Sequence, residues 1–226
     1  MPNPWLNIPI EDYEGHMGPD GVRQLDALAD LFARALAFAK PESVAILGAA
    51  GGNGLDRIDP AITRRVVAID INPDYLDAVR SRYSGCGGLE LHAVDLSSQK
   101  LEIPPVDLVH AALIFEHTGT GLCLENALSL VKPCGCLSVV LQLPSESAAG
   151  VSPSRYSSIE SVRQDFRLID PAEFRAAIEA RGFELQEETR VPLALGKAFW
   201  MGIFISPSAV FILPETGLHG LPVLIL

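Results

Sequence analysis

Short apolar runs alternate along this chain with amphipathic stretches, and that alternation constrains the fold more than any other feature. Residues 43–47, 65–71, 89–94, 107–114 and 136–143 each read as a buried strand. Between them lie helix signals. Asp20 is placed to cap a helix reaching about Ala39, in which Leu25, Leu28, Leu31, Phe32, Ala35 and Leu36 recur at helical spacing before Pro41 stops it. Asn72 followed by Pro73 is a cap with proline at the first helical position. Residues 121–131 read as a helix ended by Lys132 and Pro133. Asp170, Pro171 and Glu173 open another, which Gly182 closes. Runs at 183–190 and 197–205 then suggest a hairpin.

Strands that each precede a helix or a long crossover imply a parallel sheet with both faces covered. The expected fold is therefore α/β: a doubly wound, mostly parallel seven-stranded sheet with helices on both faces and a C-terminal antiparallel hairpin. A single domain spans 1–226. It divides into an N-terminal lid and helix (1–40), a cofactor-binding core (41–143), an acceptor-side loop, helix and hairpin (144–205), and an apolar tail (206–226). Residues 1–19, rich in Pro, Gly and Asn, are expected to lack regular structure, and 144–158 to form a long loop.

Composition narrows the partners. The formal net charge is −11, from 28 acidic and 17 basic side chains. Such a surface repels phosphate backbones and anionic lipid, so neither nucleic acid nor a membrane is the expected partner. No run reaches the apolar length of a membrane span, and the first ten residues lack the basic and apolar regions of a signal peptide. Cys86, Cys123, Cys134 and Cys136 have no zinc spacing and read as reduced thiols of a cytoplasmic protein, with no metal site. The tail, broken by Pro207, Pro214, Gly217, Gly220 and Pro222, is expected to pack as extended chain on its own domain or across a homodimer.

Two features carry chemistry. After the first strand comes Gly48-Ala49-Ala50-Gly51-Gly52-Asn53-Gly54, where small residues let the backbone turn sharply and approach a ligand. Asp70 ends the second strand, twenty-two residues after Gly48, where a carboxylate can accept both hydroxyls of a ribose. Together they point to an adenosine-containing ligand. A dinucleotide fingerprint would need glycine where Ala50 and Asn53 stand, which disfavours an NAD-dependent oxidoreductase.

With these features in register, the chain resembles the class I S-adenosylmethionine-dependent methyltransferases over roughly 41–143. The turn from Ser43 to Gly54 and the run from Val66 to Asn72 resemble the family's first two motifs. Ala93-Val94-Asp95-Leu96 resembles the motif whose acid meets the adenine amino group. The run from Val106 to His110, leading to Leu113-Ile114-Phe115-Glu116-His117, resembles the fourth strand and its substrate-facing end. Leu130-Val131-Lys132-Pro133-Cys134-Gly135 resembles the turn before strand five. One position departs: the acid usual two residues before the first glycine is Ile46 here. A group of small bacterial methyltransferases is similar at Tyr13-Glu14-Gly15-His16-Met17 and at Gln142-Leu143-Pro144-Ser145.

The resemblance implies S-adenosyl-L-methionine as cofactor and methyl transfer to a small-molecule substrate. The implied cofactor residues are Gly48, Ala49, Ala50, Gly51, Gly52, Asn53, Asp70, Ile71, Asp95, Leu96, Leu113 and His16. Tyr13, Gln142 and Tyr156 are expected at the substrate, with Tyr13–Met17 as a lid, and His117 and Glu116 at the proton transfer. His110 is expected in the core. The alternative is a non-catalytic S-adenosylmethionine-binding or interaction protein.

Overall fold

A computed structural model describes residues 3–145, 151–193 and 196–208. Seven strands form one sheet in the order β3-β2-β1-β4-β5-β7-β6. They are β1 (Ser43–Leu47), β2 (Arg65–Asp70), β3 (Leu89–Ala93), β4 (Val106–Ala112), β5 (Val131–Gln142), β6 (Glu184–Pro192) and β7 (Ala198–Ile205). The first five pair in parallel, and β7 runs antiparallel to both β5 and β6. Strand order reverses at β1, which has β2 on one side and β4 on the other. The expected doubly wound sheet with an antiparallel C-terminal hairpin is the observed one.

Alternation along the strands sorts side chains to two faces. Val44, Ile46, Val66 and Ala68 meet Leu28, Leu31, Phe32 and Ala35 of α2 (Leu25–Ala39) and Leu76 and Val79 of α3 (Pro73–Arg82). Ala45, Leu47, Val67 and Ile69 point the other way. There they pack with Leu124 and Ala127 of α5 (Leu122–Ser129) and Phe174 and Ile178 of α7 (Pro171–Glu179). No helix among the described residues is long and apolar enough to cross a membrane. Cys86, Cys123, Cys134 and Cys136 are free thiols.

The structure departs from expectation in four places. Residues 1–19 are not irregular: a 3-10 turn at Pro4–Asn7 leads into α1 (Ile10–Met17). Asp20 does not cap α2, which begins at Leu25 behind Gln24, after a turn in which Arg23 is left-handed at φ 56°. Two short helices, α4 (Phe115–Thr118) and α6 (Ser157–Glu160), interrupt segments expected to be strand end and loop. Strand β5 starts at Val131, and the Lys132–Gly135 turn is an irregularity inside it. The register jumps from Val106↔Val131 to Leu108↔Cys136, and Cys134 is left-handed at φ 59°. Of the apolar tail expected at 206–226, residues 209–226 lie outside the described residues.

Candidate functional site

A cavity of about 930 Å³ opens beyond the carboxyl ends of β1, β2 and β4, on both sides of the strand-order reversal. Parallel sheets bind ligands there because the loops on either side of the reversal leave in opposite directions. This volume is at the upper end for small-molecule sites and has room for two ligands.

The turn after β1 is held from beneath. Gly48 and Ala49 both donate their amides to the Ile69 carbonyl, at 2.9 and 3.0 Å. Gly48 sits at φ 71°, and an added Cβ would stand 3.1 Å from Ile114 Cδ1. Ala50 is left-handed at φ 44° and Leu113 at φ 56°, uncommon conformations for residues with a Cβ, and both line the cavity. Gly51 and Gly52 are off the cavity wall, with their carbonyls accepting from Arg82 at 3.0 Å and Tyr83 at 3.0 Å. Asn53 reaches the other way, donating to the Leu25 carbonyl.

Asp70 is buried and lines the cavity. Its Oδ2 accepts the Ala50 amide at 2.8 Å and its Oδ1 accepts the Asn72 amide at 2.9 Å. Burial pushes its carboxyl up to about 6, against the lowering effect of amides from Asn72, Ala50 and Ile71. Capping of α3 belongs to Asn72, whose Oδ1 accepts from Asp74. Ile71, Asp95 and Leu96 continue the same wall. Burial raises the Asp95 carboxyl, but the Ser97 hydroxyl and amide outweigh it and the net shift is downward.

Over this wall lies the N-terminal segment. Asn72 Nδ2 donates to the Trp5 carbonyl at 2.9 Å and to the Ile8 carbonyl at 3.4 Å. Glu14 on α1 pairs with Arg82 on α3, and Ser158 on α6 donates to Asp12 at 2.6 Å. Tyr13, on the cavity wall, stacks at 5.8 Å on Tyr75 of α3. Burial, reinforced by Asp70 and Glu14, raises the Tyr13 hydroxyl well above its ordinary range. The Tyr75 hydroxyl is buried without a hydrogen-bond partner, and it too lines the cavity.

At the far end His117 stands between two rings, Trp5 at 4.8 Å and Phe166 at 5.2 Å. Burial pushes its imidazole down to about 4, opposed by Asp165 on the same wall. Its Nδ1 is buried without a partner. Glu116 lies behind the wall. Its Oε1 accepts the Gln142 amide at 2.7 Å, its carbonyl accepts from Arg167 at 2.8 Å, and Oε2 has no partner. Burial raises this carboxyl to about 7. Gln142, at the end of β5, lines the cavity. Tyr156 does not: it packs with Ile8 and Ile159, close under Gly15 of α1. His16 lines the cavity near Lys197, and burial and that lysine both lower its imidazole. His110 is in the core, bonded to Ser138 at 3.0 Å.

Trp5, Tyr75, Gln24, Asp165, Phe166 and Lys197 are wall residues that the sequence reading missed. Only Tyr75 carried a signal, standing on the first turn of the helix that follows Asp70.

No protein-family model matches the chain, and no curated protein matches it by sequence. Solved structures do match. N-methyltransferase NodS from Bradyrhizobium japonicum WM9, in complex with S-adenosyl-L-homocysteine, has TM-score 0.64 at 14% identity, over 88% of this chain and 98% of that one. The Burkholderia thailandensis 1,6-didemethyltoxoflavin-N1-methyltransferase, with bound 1,6-didemethyltoxoflavin and S-adenosylhomocysteine, has TM-score 0.62 at 16% identity, covering 88% and 84%. The [4+2]-cyclase SpnF has TM-score 0.63 at 14% identity, covering 81% and 82%. The fold is that of the class I S-adenosylmethionine-dependent methyltransferases over most of the chain. At these identities the likeness shows the fold alone, and the cyclase shares it.

Proposed function

We propose that the protein binds S-adenosyl-L-methionine in this cavity and transfers its methyl group to a small molecule. One observation carries the reading: the methyltransferase fold holds, at its strand-order reversal, a cavity whose wall combines the buried Asp70 carboxylate with a partnerless Tyr75 hydroxyl. A buried polar atom without a partner costs free energy, and a ligand rich in hydroxyls and amines would relieve it. These residues fit the cofactor. Asp70 and Tyr75 would hold its ribose, Asp95 and Leu96 its adenine, and the backbone from Gly48 to Ala50 with Leu113 its methionine end. The bound cofactor supplies an already activated sulfonium methyl.

The protein then has to align the acceptor and exclude water. Trp5 and Phe166 confine the acceptor beside His117. Because Nδ1 is sealed, Nε2 is the ring nitrogen offered to the cavity, and a neutral imidazole there can take the acceptor's proton. Asp165 would stabilise the ring as it becomes charged. Glu116 does not touch the reacting atoms. Its bond to the Gln142 amide ties α4 to the end of β5 and so positions His117.

Calorimetry with S-adenosylhomocysteine, NAD and 5′-methylthioadenosine tests the cofactor. Release of S-adenosylhomocysteine across a library of phenols, amines and acids tests transfer. Binding without any transfer would favour the non-catalytic alternative. Binding of NAD in place of S-adenosylhomocysteine would overturn the reading.

A further inference from the structure

Asn72, the cap of α3, makes more bonds than a cap requires. Its Oδ1 accepts the Asp74 amide at 3.0 Å, which is the capping bond. That bond needs only an oxygen, and Asp or Ser supplies one as well. What asparagine adds is the amide nitrogen. Nδ2 donates to the Trp5 carbonyl at 2.9 Å and to the Ile8 carbonyl at 3.4 Å, so both of its N–H groups are used. The two ends of the side chain cannot trade places, because the oxygen meets an N–H and the nitrogen meets two carbonyls. The residue is 2% exposed. Among the described residues, the hydrogen bonds that tie the 3–8 segment to the rest of the protein both come from this amide. The Trp5 ring carried by that segment stands edge-on to His117, at 4.8 Å and 87°.

We propose that Asn72 is a positioning residue for the methyl acceptor: its side-chain amide holds the Trp5 turn so that the indole closes one side of the acceptor's place beside His117. This rests on the methyl-transfer reading of the same cavity. The chain of contacts is short. The Asn72 backbone amide donates to Asp70 Oδ1 at 2.9 Å. Residues 70–72 thus offer a carboxylate to the proposed ribose and, two positions on, an amide to the acceptor wall. One strand end therefore sets the placement of acceptor against cofactor, on which an in-line transfer depends. Without the Nδ2 donor the Trp5 and Ile8 carbonyls lose their partner, and the turn keeps only its internal bonds, from the Trp5 and Leu6 amides to Asn3. The packing that remains, Trp5 against Tyr13 at 6.1 Å and Ile8 against Ile159 and Val162, is non-directional and does not fix the indole's angle. His117 would then open to water. Burial, to which the Trp5 ring contributes, is what lowers its imidazole to about 4, and Asp165 acts in the opposite sense.

The test is Asn72→Ser, which keeps a capping oxygen and removes the amide nitrogen, with Asn72→Asp as a second variant of the same kind. The protein carries two tryptophans, Trp5 and Trp200, so labelling with 5-fluorotryptophan gives two fluorine resonances, assigned with Trp5→Phe. In the variant the Trp5 resonance should move towards that of solvated indole while the Trp200 resonance stays. The His117 imidazole, followed by NMR between pH 5 and 8, should titrate about one pH unit or more higher than in the natural protein. Trp5→Leu should raise it in the same way. Calorimetry should find S-adenosylhomocysteine affinity kept, and turnover with an identified acceptor should fall in kcat by up to about a hundredfold. Unchanged Trp5 and His117 signals in Asn72→Ser would make Asn72 a cap alone and overturn the proposal. So would a loss of S-adenosylhomocysteine affinity as large as the loss in kcat, which would place the residue's effect at the cofactor. If neither variant folds, Asn72 is a requirement of the fold and the positioning role fails. Failure of the natural protein to bind S-adenosylhomocysteine would overturn the underlying reading instead, and the two NMR signals would still report whether Asn72 sets Trp5 on His117.

Discussion

Asp70 Oδ2 accepts the Ala50 amide at 2.8 Å, so the acid that ends β2 also fixes the glycine turn that ends β1. One carboxylate thus shapes the turn and faces the proposed ribose. Ionised, it is the better acceptor of ribose hydroxyls, and burial holds it at about 6. S-adenosylhomocysteine affinity should therefore rise with pH through 6 and level off above 7. Asp70→Asn should flatten that profile and weaken binding about ten- to a hundredfold, the value of roughly 1.5–3 kcal/mol for a hydrogen bond to a charged group. Calorimetry from pH 5 to 8 checks both, and a flat profile in the natural protein would remove Asp70 from the site.

Tyr75 gives a prediction with two opposite signs. Its hydroxyl is buried without a partner in the ligand-free protein, a cost on the order of 1–3 kcal/mol. Tyr75→Phe should then raise the urea midpoint of the free protein and lower its affinity for S-adenosylhomocysteine. A variant that loses stability without losing affinity would show the hydroxyl to be structural.

Glu116 makes stability depend on pH. Its folded-state carboxyl is raised to about 7 from an ordinary value of 4.5, so the fold favours the neutral acid. The stability this group contributes is complete below 4.5 and is lost as pH rises through 7. Glu116→Gln keeps the acceptor for the Gln142 amide and cannot ionise. Urea unfolding should find the two proteins alike at pH 4.5 and the variant more stable at pH 8 by up to about 3 kcal/mol. A variant less stable at both values would mean the charged form is the one the fold holds.

His117 should behave in the opposite sense. Its imidazole is lowered to about 4, so it is neutral across the physiological range and needs no deprotonation before acting as a base. Turnover, once an acceptor is known, should show no inflection from this residue between pH 6 and 8. His117→Ala should reduce kcat by about 10²–10⁴, the usual contribution of a general base, with S-adenosylhomocysteine affinity kept. A loss in KM alone would make the ring a wall of the pocket.

The sheet was legible in the sequence because its strands are apolar and its breaks carry Gly, Asn and Pro. The parallel strands and the hairpin fall within a residue or two of expectation, apart from the N-terminal end of β5. There Pro133 and Gly135 read as a turn, and they are one, but Val131 still pairs with Val106 across it. Helix α1 was hidden for another reason. Its eight residues include Gly15 and are too few to be stable alone, so tertiary contacts make it a helix: Tyr13 against Tyr75, Glu14 against Arg82, Asp12 against Ser158. Asp70 and the glycine turn could be placed by spacing from the end of a strand. Trp5, Phe166 and Lys197 could not, because chain crossings far apart in sequence bring them to the cavity.

Those crossings make the N-terminal segment the roof of the site, and its closure can be tested without touching the sheet. The Val22 amide donates to the His16 carbonyl at 2.8 Å, fixing the turn that leaves α1. A Cβ added at Gly21 would stand 1.9 Å from that same carbonyl oxygen, a backbone atom that cannot give way. Gly21→Ala must therefore shift the end of α1, and with it His16 and Met17, while β1 to β7 keep their packing. The expected result is weaker binding of S-adenosylhomocysteine and of any acceptor, with slow amide exchange retained in β1, β4 and β5. In the natural protein, saturating S-adenosylhomocysteine should add protection across 10–18 and 157–160, because a filled cavity completes the contacts that hold α1 down. If exchange in those segments is the same with and without the ligand, α1 is a fixed part of the wall and does not close over the site.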